Sequence, residues 1–293
     1  MVELRIIKGW QTLKAPVLFT TADGYRIAGH RYDPSTPAKA NVVIAGATAV
    51  PQGFYQRFAQ FANDHGFSAV TLDYRGVGLS APKHLRGFRM NYLDWARQDL
   101  AAAVEAIHDP SRPTYLIGHS YGGHAFGLLP NFNKITKLCT FGTGAGWAGY
   151  MPPVERIKVA LLWNVVGPLT TPIFGYMHGK ISGVGENLPI DVYHQWRRWC
   201  QSPNYFFDDL TIRDDLLGFS RIKAPIRAVV ADDDLWAGPT SRDAFFKNYT
   251  AATIESITLN AKVLGYPIGH MGYFRKGREA LWLDALAWFA CPC

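Results

Sequence analysis

The stretch "TYLIGHSYGGHAFG", residues 114–127, places a serine among glycines between two apolar runs. Residues 114–118 have the composition of a short buried strand, and a helix is predicted from about Tyr121 to Leu129. A G-x-S-x-G pattern between a strand and a helix is typical of a tight turn that exposes a hydroxyl above a sheet edge, and glycines flank it because side chains would not fit. The stretch therefore predicts a nucleophile at Ser120.

Short strands and helices alternate on both sides of this turn. A β-hairpin is predicted first, from runs 17–20 and 25–32 around Ala22-Asp23-Gly24. Apolar or β-branched runs typical of strands buried on both faces follow at 41–47, 68–74, 135–142, 225–231 and 253–259. The sequence therefore predicts an α/β fold with a mostly parallel, doubly wound sheet, opened by an antiparallel N-terminal hairpin.

The alternation stops between residues 143 and 223, where tryptophan, tyrosine, phenylalanine, glycine and proline accumulate. We predict a core made of residues 1–142 and 224–293, and an inserted cap, or lid, made of residues 143–223. Its aromatic side chains would form an apolar ceiling above Ser120, which suits a small or hydrophobic acyl group. The alternative is that they form the core of the cap itself.

A neutral serine is a poor nucleophile, so Ser120 requires a histidine base and an acid that orients it. His270 lies in the loop sequence "YPIGHMGYF" after the last predicted strand. Three aspartates, Asp232 to Asp234, directly follow the strand 225–231, at the carboxyl edge of the sheet. These residues occur in the chain order Ser, Asp, His, which is that of one known type of catalytic triad.

Acyl transfer also requires two backbone N–H groups directed at the oxyanion of the tetrahedral intermediate. One is expected from Tyr121, directly after the nucleophile. The other is expected from the loop 45–50, where Gly46 allows close approach of the backbone. Ala47 is the first candidate for this oxyanion hole and Thr48 the next.

The chain resembles the α/β-hydrolase superfamily from about residue 17 to residue 290. The closest resemblance is to an uncharacterised bacterial group of predicted α/β hydrolases near the serine aminopeptidase and monoacylglycerol lipase-like branch. The resemblance is carried by "GATAVPQGFYQRFA", "LDYRGVGLSAP", "GHSYGG", "WRRWCQSPNYFFDD", "DDDLWA" and "IGHMGYFR". The His-Gly pair that usually precedes the oxyanion loop is missing.

The resemblance implies the fold, the positions of the triad and a bracing role for residues 73–80 near the active site. Related hydrolases carry the acid three residues after the last small residue of the strand, which is Ala231 here, so Asp234 is the implied acid. Asp233 remains a competitor, and Asp232 a lesser one. The resemblance does not imply a substrate.

These features predict a serine hydrolase that cleaves an ester, thioester or amide through an acyl-enzyme, with a carboxylic ester as the first choice and a peptidase possible. An acyltransferase would use the same acyl-enzyme and pass it to an alcohol or amine. A non-catalytic ligand-binding protein on the same scaffold is the alternative from another class. A dehalogenase or epoxide hydrolase is excluded because those enzymes need a carboxylate at position 120.

Composition narrows the possible partners. The 293 residues carry a formal charge of +7, but the basic residues are scattered, so a small-molecule substrate is expected rather than nucleic acid. Neither a metal nor another cofactor is expected, because no ligand cluster has suitable spacing. Lys83, Arg86 and Arg89 either border the pocket mouth or are solvated surface residues.

The sequence is also interpreted as that of a cytoplasmic protein without a membrane span. Residues 1–10, "MVELRIIKGW", lack the features of a signal peptide. The most apolar segment, residues 159–177, contains several glycines and prolines. It is therefore predicted to be buried or to line the pocket.

Overall fold

The structure is a computed structural model that describes residues 13–183 and 185–291. The segment on which the signal-peptide prediction rests lies outside the described residues. The strands are β1 (Leu13–Thr20), β2 (Arg26–Asp33), β3 (Ala40–Ala45), β4 (Phe67–Leu72), β5 (Thr114–His119), β6 (Lys137–Phe141), β7 (Tyr176–Met177), β8 (Leu188–Pro189), β9 (Ile226–Ala231) and β10 (Ile254–Leu259).

Eight of these strands form one sheet in the order β1-β2-β4-β3-β5-β6-β9-β10. The β1/β2 and β2/β4 pairs are antiparallel, and every pair from β4 to β10 is parallel. The predicted fold class is therefore confirmed. Because β3, β4, β5 and β6 are buried along their whole length, each reads as a continuous rather than an alternating apolar run.

The helices are α1 (Gln56–Asp64), α2 (Ala101–Ile107), α3 (Tyr121–His124), α4 (Pro153–Leu161), α5 (Gly167–Phe174), α6 (Gly179–Ser182), α7 (Ile190–Trp199), α8 (Leu217–Arg221), α9 (Pro239–Phe246), α10 (Ala261–Leu264) and α11 (Glu279–Ala290). The helix predicted to run from Tyr121 to Leu129 is shorter than expected. After α3 the chain tightens into a 3₁₀ turn, Ala125–Leu128. Glycine has low helix propensity, and α3 contains two glycines in four residues.

The inserted segment, residues 143–223, contains α4 to α8 and the two-stranded β7/β8 hairpin. Its described residues add no strand to the eight-stranded sheet. Most of its aromatic side chains pack against one another or against the sheet's helices. Trp163, Tyr193, Trp199 and Phe206 are buried there. These residues belong to one hydrophobic cluster with the core, since Trp199 stacks on Tyr92 and Phe206 contacts Phe245. They are therefore buried, but they do not form a core of the segment's own.

One surface of the inserted segment is unexpectedly apolar. Helix α4, a π-helical turn at Leu162–Val166 and helix α5 form one continuous helix, Pro153–Phe174, called here the apolar helix. It is long and apolar enough to cross a membrane by length and composition alone, but only 28% of its most apolar stretch is buried. The prediction that residues 159–177 are buried or line the pocket is therefore wrong for most of this helix.

Candidate active site

Ser120 occupies the turn between β5 and α3 in a strained backbone conformation, with φ 52° and ψ −111°. The close packing around the turn explains its glycines. A Cβ on Gly118 would collide with the backbone of Gly123, and one on Gly122 would overlap the carbonyl oxygen of Ala45 on β3. Strained backbone persists only where its surroundings enforce it, so the serine is held at a fixed position above the sheet.

The structure brings Ser120, His270 and Asp234 together. The Nε2 atom of His270 lies 3.0 Å from the Oγ of Ser120, and its Nδ1 lies 3.0 and 3.1 Å from the two carboxylate oxygens of Asp234. A carboxylate only accepts hydrogen bonds, so the proton of a neutral His270 sits on Nδ1. Its Nε2 is then free to accept the proton of the serine hydroxyl.

Backbone and side-chain donors hold Asp234 in place. Its Oδ1 accepts the N–H groups of Trp236 and Ala237 at 2.9 and 3.0 Å, and its Oδ2 accepts the hydroxyl of Tyr273 at 3.1 Å. Burial alone would raise the pKa of Asp234, but the charge and hydrogen bond of His270, with the backbone donors, hold that pKa below its ordinary value. Asp234 therefore remains ionised beside the histidine.

The same pair has the reverse effect on the histidine. Burial would lower the pKa of His270, but the charge and hydrogen bond of Asp234 outweigh it and hold the pKa above the ordinary value. The carboxylate thus favours the imidazolium, which forms when the histidine takes a proton.

The two competing aspartates contact other parts of the chain. The carboxylate of Asp233 accepts the N–H groups of Ile268 and Gly269, both at 2.9 Å, and so fixes the loop that carries His270. Asp232 accepts the N–H of Ala261 at 3.0 Å. Neither is hydrogen-bonded to His270.

Part of the chain, including Ser120 but not Asp234 or His270, matches a known protein family. Residues 36–168 match the family described as serine aminopeptidase, S33. A comparison with curated proteins gives no significant match. Among solved structures, the DcsB protein in complex with its substrate analogue shares a TM-score of 0.63 at 17% sequence identity, over 96% of this chain and 98% of that chain.

Two esterases have the same architecture. The esterase from Pyrococcus furiosus has a TM-score of 0.61 at 14% identity and covers 98% of this chain and 95% of its own. The esterase from Exiguobacterium antarcticum has a TM-score of 0.59 at 15% identity, with 94% and 99% covered. This chain therefore has the fold of the α/β hydrolases. The resemblance stated from the sequence motifs is thereby confirmed at the level of the fold.

The backbone N–H groups that are candidates for the oxyanion hole differ in whether they already have an acceptor. Tyr121 is the first residue of α3, so its N–H has no acceptor within the helix. The N–H of Ala47 instead donates to the hydroxyl of Tyr55 at 2.7 Å. No described residue accepts a hydrogen bond from the N–H of Thr48, the second candidate in the same loop.

The Tyr55 hydroxyl belongs to a buried hydrogen-bond chain that the sequence did not indicate. His119 Nε2 lies 2.8 Å from the carbonyl oxygen of His270, so that nitrogen carries the proton. The Nδ1 of His119 therefore accepts from the hydroxyl of Tyr55 at 2.8 Å. The chain joins the loop after β3 to the backbone of His270.

Ser120 and His270 open into a cavity of about 670 Å³. Its described lining is mostly apolar and contains no acidic residue, lysine or arginine. Trp196 and Tyr205 are the aromatic residues of the inserted segment that line it, and Phe54 and Trp236 add two more aromatic side chains. Lys83 and Arg86 line a separate surface cavity instead, beside Phe174 and Tyr176.

His124 also lines the cavity, one helical turn after Ser120. Its Nε2 lies 2.8 Å from the carbonyl oxygen of Gly144 and donates to it. Burial lowers the pKa of His124 to about 4, and burial lowers that of His119 to about 3. Both histidines are therefore neutral at pH 7, and neither is a surface residue.

The segment 73–80 braces the loop after β3. The carboxylate of Asp73 accepts the N–H groups of Gln52 and Leu79 at 2.7 and 2.9 Å. The buried guanidinium of Arg75 pairs with Asp99 at 2.7 Å and with Asp23 at 2.6 Å. These contacts agree with the bracing role that the resemblance implied.

Proposed function

We propose that this hydrolase cleaves carboxylic esters through an acyl-enzyme on Ser120, with His270 as the general base and Asp234 as the acid that orients it. The observation that carries the proposal is the 3.0 Å contact between His270 Nε2 and Ser120 Oγ, with Asp234 bonded to the opposite side of the imidazole. This is the relation that activation of a serine hydroxyl requires.

In the proposed reaction, the Oγ of Ser120 attacks the ester carbonyl carbon while its proton passes to Nε2 of His270. The oxyanion that forms accepts hydrogen bonds from the N–H of Tyr121 and from one N–H of the loop after β3. The intermediate expels the alcohol, which takes the proton from His270. Water, activated by the same imidazole, then releases the acid and restores the serine.

The shape and chemistry of the cavity favour an uncharged acyl group. Its volume of about 670 Å³ is in the range of ordinary small-molecule sites, and no acidic residue, lysine or arginine among the described residues lines it. We therefore expect aliphatic or aromatic acyl esters to react faster than esters of dicarboxylic acids, whose second carboxylate would have to be desolvated.

The proposal predicts covalent labelling by a fluorophosphonate probe and hydrolysis of p-nitrophenyl esters of graded chain length. Ser120→Ala should abolish labelling and reduce kcat by about 10³-fold or more, because a triad acts as a unit. Label mass and initial rates would be measured on the purified full chain.

Ser220→Ala is the matched control, since this exposed serine bonds only to the carbonyl oxygen of Leu217 in its own helix. It should label and hydrolyse as the native chain does. Labelling that persists in Ser120→Ala would contradict the proposal. A native chain that is neither labelled nor able to cleave any of the esters would also contradict it, and would favour the non-catalytic binding protein instead.

A further inference from the structure

The exposed side of the apolar helix presents large hydrophobic side chains to solvent at intervals of three or four residues. They are Val154 (68% exposed), Ile157 (62%), Leu161 (51%), Val165 (44%), Leu169 (65%) and Ile173 (66%). Residues three or four apart lie on the same side of a helix, so these six form one continuous stripe, called here the exposed stripe. An apolar surface of this kind usually marks an interaction site.

The opposite side of the helix is packed against the protein. Val159, Leu162, Trp163 and Thr171 are buried, and the Trp163 carbonyl accepts from Arg197 of α7 at 2.6 Å. A helix anchored in this way along one side lies on the surface of the folded chain. Whatever covers the exposed stripe therefore meets the helix side-on, in the manner of an interfacial rather than a spanning helix.

The ends of the exposed stripe are basic. Arg156 and Lys158 are exposed near its beginning. At its far end Arg86 donates to the carbonyl oxygen of Ile173, and Lys83 lines the adjoining surface cavity together with Phe174. Lys180 is exposed just beyond, on α6.

Few acids oppose these cations. Glu155 is mostly covered and already bonded to Lys158 and to the indole of Trp236. Glu186 lines the same surface cavity as Lys83. Among the described residues named here, five cations and two acids lie around the exposed stripe. Such a surface is complementary to a partner surface that is apolar inside and anionic at its rim.

Its dimensions argue against a second copy of the chain as the occupant. The 22 residues of the apolar helix span about 33 Å. A strip of that length and about 10 Å wide covers roughly 330 Å² per copy, well below the ~800 Å² per partner of a stable protein interface. A lipid surface needs no such minimum area from one helix, and each basic side chain beside it adds attraction to anionic headgroups.

We propose that the exposed stripe docks the protein on the surface of a bilayer that contains anionic lipids. Its apolar side chains enter the headgroup region, while Arg156, Lys158, Lys83, Arg86 and Lys180 face the lipid phosphates. The inference does not depend on the proposed ester hydrolysis. The two are adjacent in space, because Glu155 at the start of the helix bonds to Trp236, which lines the Ser120 cavity.

The test is co-sedimentation of the full chain with vesicles of phosphatidylcholine alone and of phosphatidylcholine mixed with phosphatidylglycerol. The native chain should pellet with the mixed vesicles, more weakly at high salt, and much less with phosphatidylcholine alone. The double variant Leu161→Glu/Leu169→Glu should lower the partition coefficient by about ten-fold or more, since two carboxylates would have to enter the interface. These changes are at exposed positions, and circular dichroism would verify that the variant is folded.

Val263→Glu is the matched control, because Val263 is 83% exposed on α10, outside the inserted segment. It should bind mixed vesicles as the native chain does. Equal loss in this control, or a native chain that stays in the supernatant, overturns the inference. A dimer in sedimentation velocity that Leu161→Glu/Leu169→Glu converts to monomer would overturn it in favour of a second copy. Ester hydrolysis in solution is measured separately, so failure of one proposal leaves the other standing.

Discussion

Asp234 shows how one side chain combines several constraints. Two backbone N–H groups and the Tyr273 hydroxyl fix its carboxylate, which in turn fixes the proton of His270 on Nδ1. An amide in the same place keeps the shape, but its NH2 group donates a hydrogen bond where the carboxylate can only accept one. Orientation of the imidazole would then be retained while its proton could shift to the nitrogen that faces Ser120.

Asp234→Asn is therefore expected to reduce kcat for ester hydrolysis by about 10³-fold or more, with a smaller change in KM. Initial rates on p-nitrophenyl esters would measure both. Asp232→Asn is the matched control, because its carboxylate bonds to the N–H of Ala261 and not to His270. A similar loss in both variants would show that Asp234 has no special part in the reaction.

Tyr55 is a second residue whose effect is testable. Its hydroxyl accepts from Ala47 and donates to His119. Tyr55→Phe removes that hydroxyl, so the loop after β3 loses an anchor and the buried Nδ1 of His119 loses its donor. We expect kcat to fall by about ten-fold with little change in KM, because the loop holds a candidate oxyanion donor.

Tyr32→Phe, a change at another buried tyrosine on β2, controls for the general loss of a buried hydroxyl. It should leave kcat close to the native value. A kcat that is unchanged in Tyr55→Phe, or that falls equally in both variants, would show that the hydroxyl of Tyr55 does not position the loop for catalysis.

Sequence patterns predicted Ser120, His270 and the aspartate run because the order of residues and the ends of strands can be inferred from the sequence alone. Ala47 as an oxyanion donor remains a prediction, and the structure shows a competing partner for its N–H. The competition arises because the 3₁₀ turn Gln52–Tyr55, just before α1, places the Tyr55 hydroxyl against the loop. The direction of a single N–H depends on such packing. Tyr273, three residues after His270, lay in a quoted motif, but its bond to Asp234 had no sequence signal.

At the level of elements, the nucleophile depends on the fit between α3 and β3. Gly122 of α3 lies against the carbonyl oxygen of Ala45, the last residue of β3. A methyl group there cannot be accommodated unless the helix or the strand moves. Gly53, in the turn before α1, has no atom within 4 Å of the position that a Cβ would take.

Gly122→Ala should consequently lower the free energy of unfolding by about 1 to 3 kcal/mol or more, the usual cost of overpacking, and should also reduce the rate of ester hydrolysis. Gly53→Ala should change the stability by no more than about 0.5 kcal/mol. Urea denaturation of both variants measures the difference. Equal stability of the two variants would mean that α3 can move without cost.

The strands were predicted to within a few residues because the parallel ones are continuous apolar runs bounded by turn residues. The apolar helix was misplaced for a related reason. Its hydropathy is the same whether it lies in a core or on a surface, and sequence alone does not show which side the rest of the chain covers. The start of α3 was predicted correctly, but its end was not, because the chain continues as a 3₁₀ turn at Ala125–Leu128.

For the whole molecule, the buried histidines make stability depend on pH. Folding lowers the pKa of His119 to about 3 and that of His124 to about 4, from an ordinary 6.5. The unfolded chain then binds protons more tightly than the native chain. The stability that these two histidines contribute is therefore fully present above about pH 6.5 and is lost progressively as the pH falls from there toward about 4 for His124 and about 3 for His119.

At pH 5 each of these histidines should cost about 2 kcal/mol of unfolding free energy relative to pH 7.5. Between pH 6.5 and pH 5, His124→Leu should reduce the slope of unfolding free energy against pH by the amount that corresponds to about one bound proton. Urea denaturation midpoints measured over this pH range would give the slope. His108→Leu, at a partly exposed histidine, is the control and should retain the native slope. Parallel curves for all three chains would refute the assignment.

The three consecutive aspartates after β9 each fasten a different piece of the molecule: Asp232 the start of α10, Asp233 the turn before the histidine, Asp234 the imidazole itself. Because each carboxylate has its own partner, all three contacts depend on the spacing of the run. Deleting one residue from the run would move the remaining carboxylates away from the groups that they now bond. The length of this loop is therefore expected to matter to the site as much as the residues that compose it.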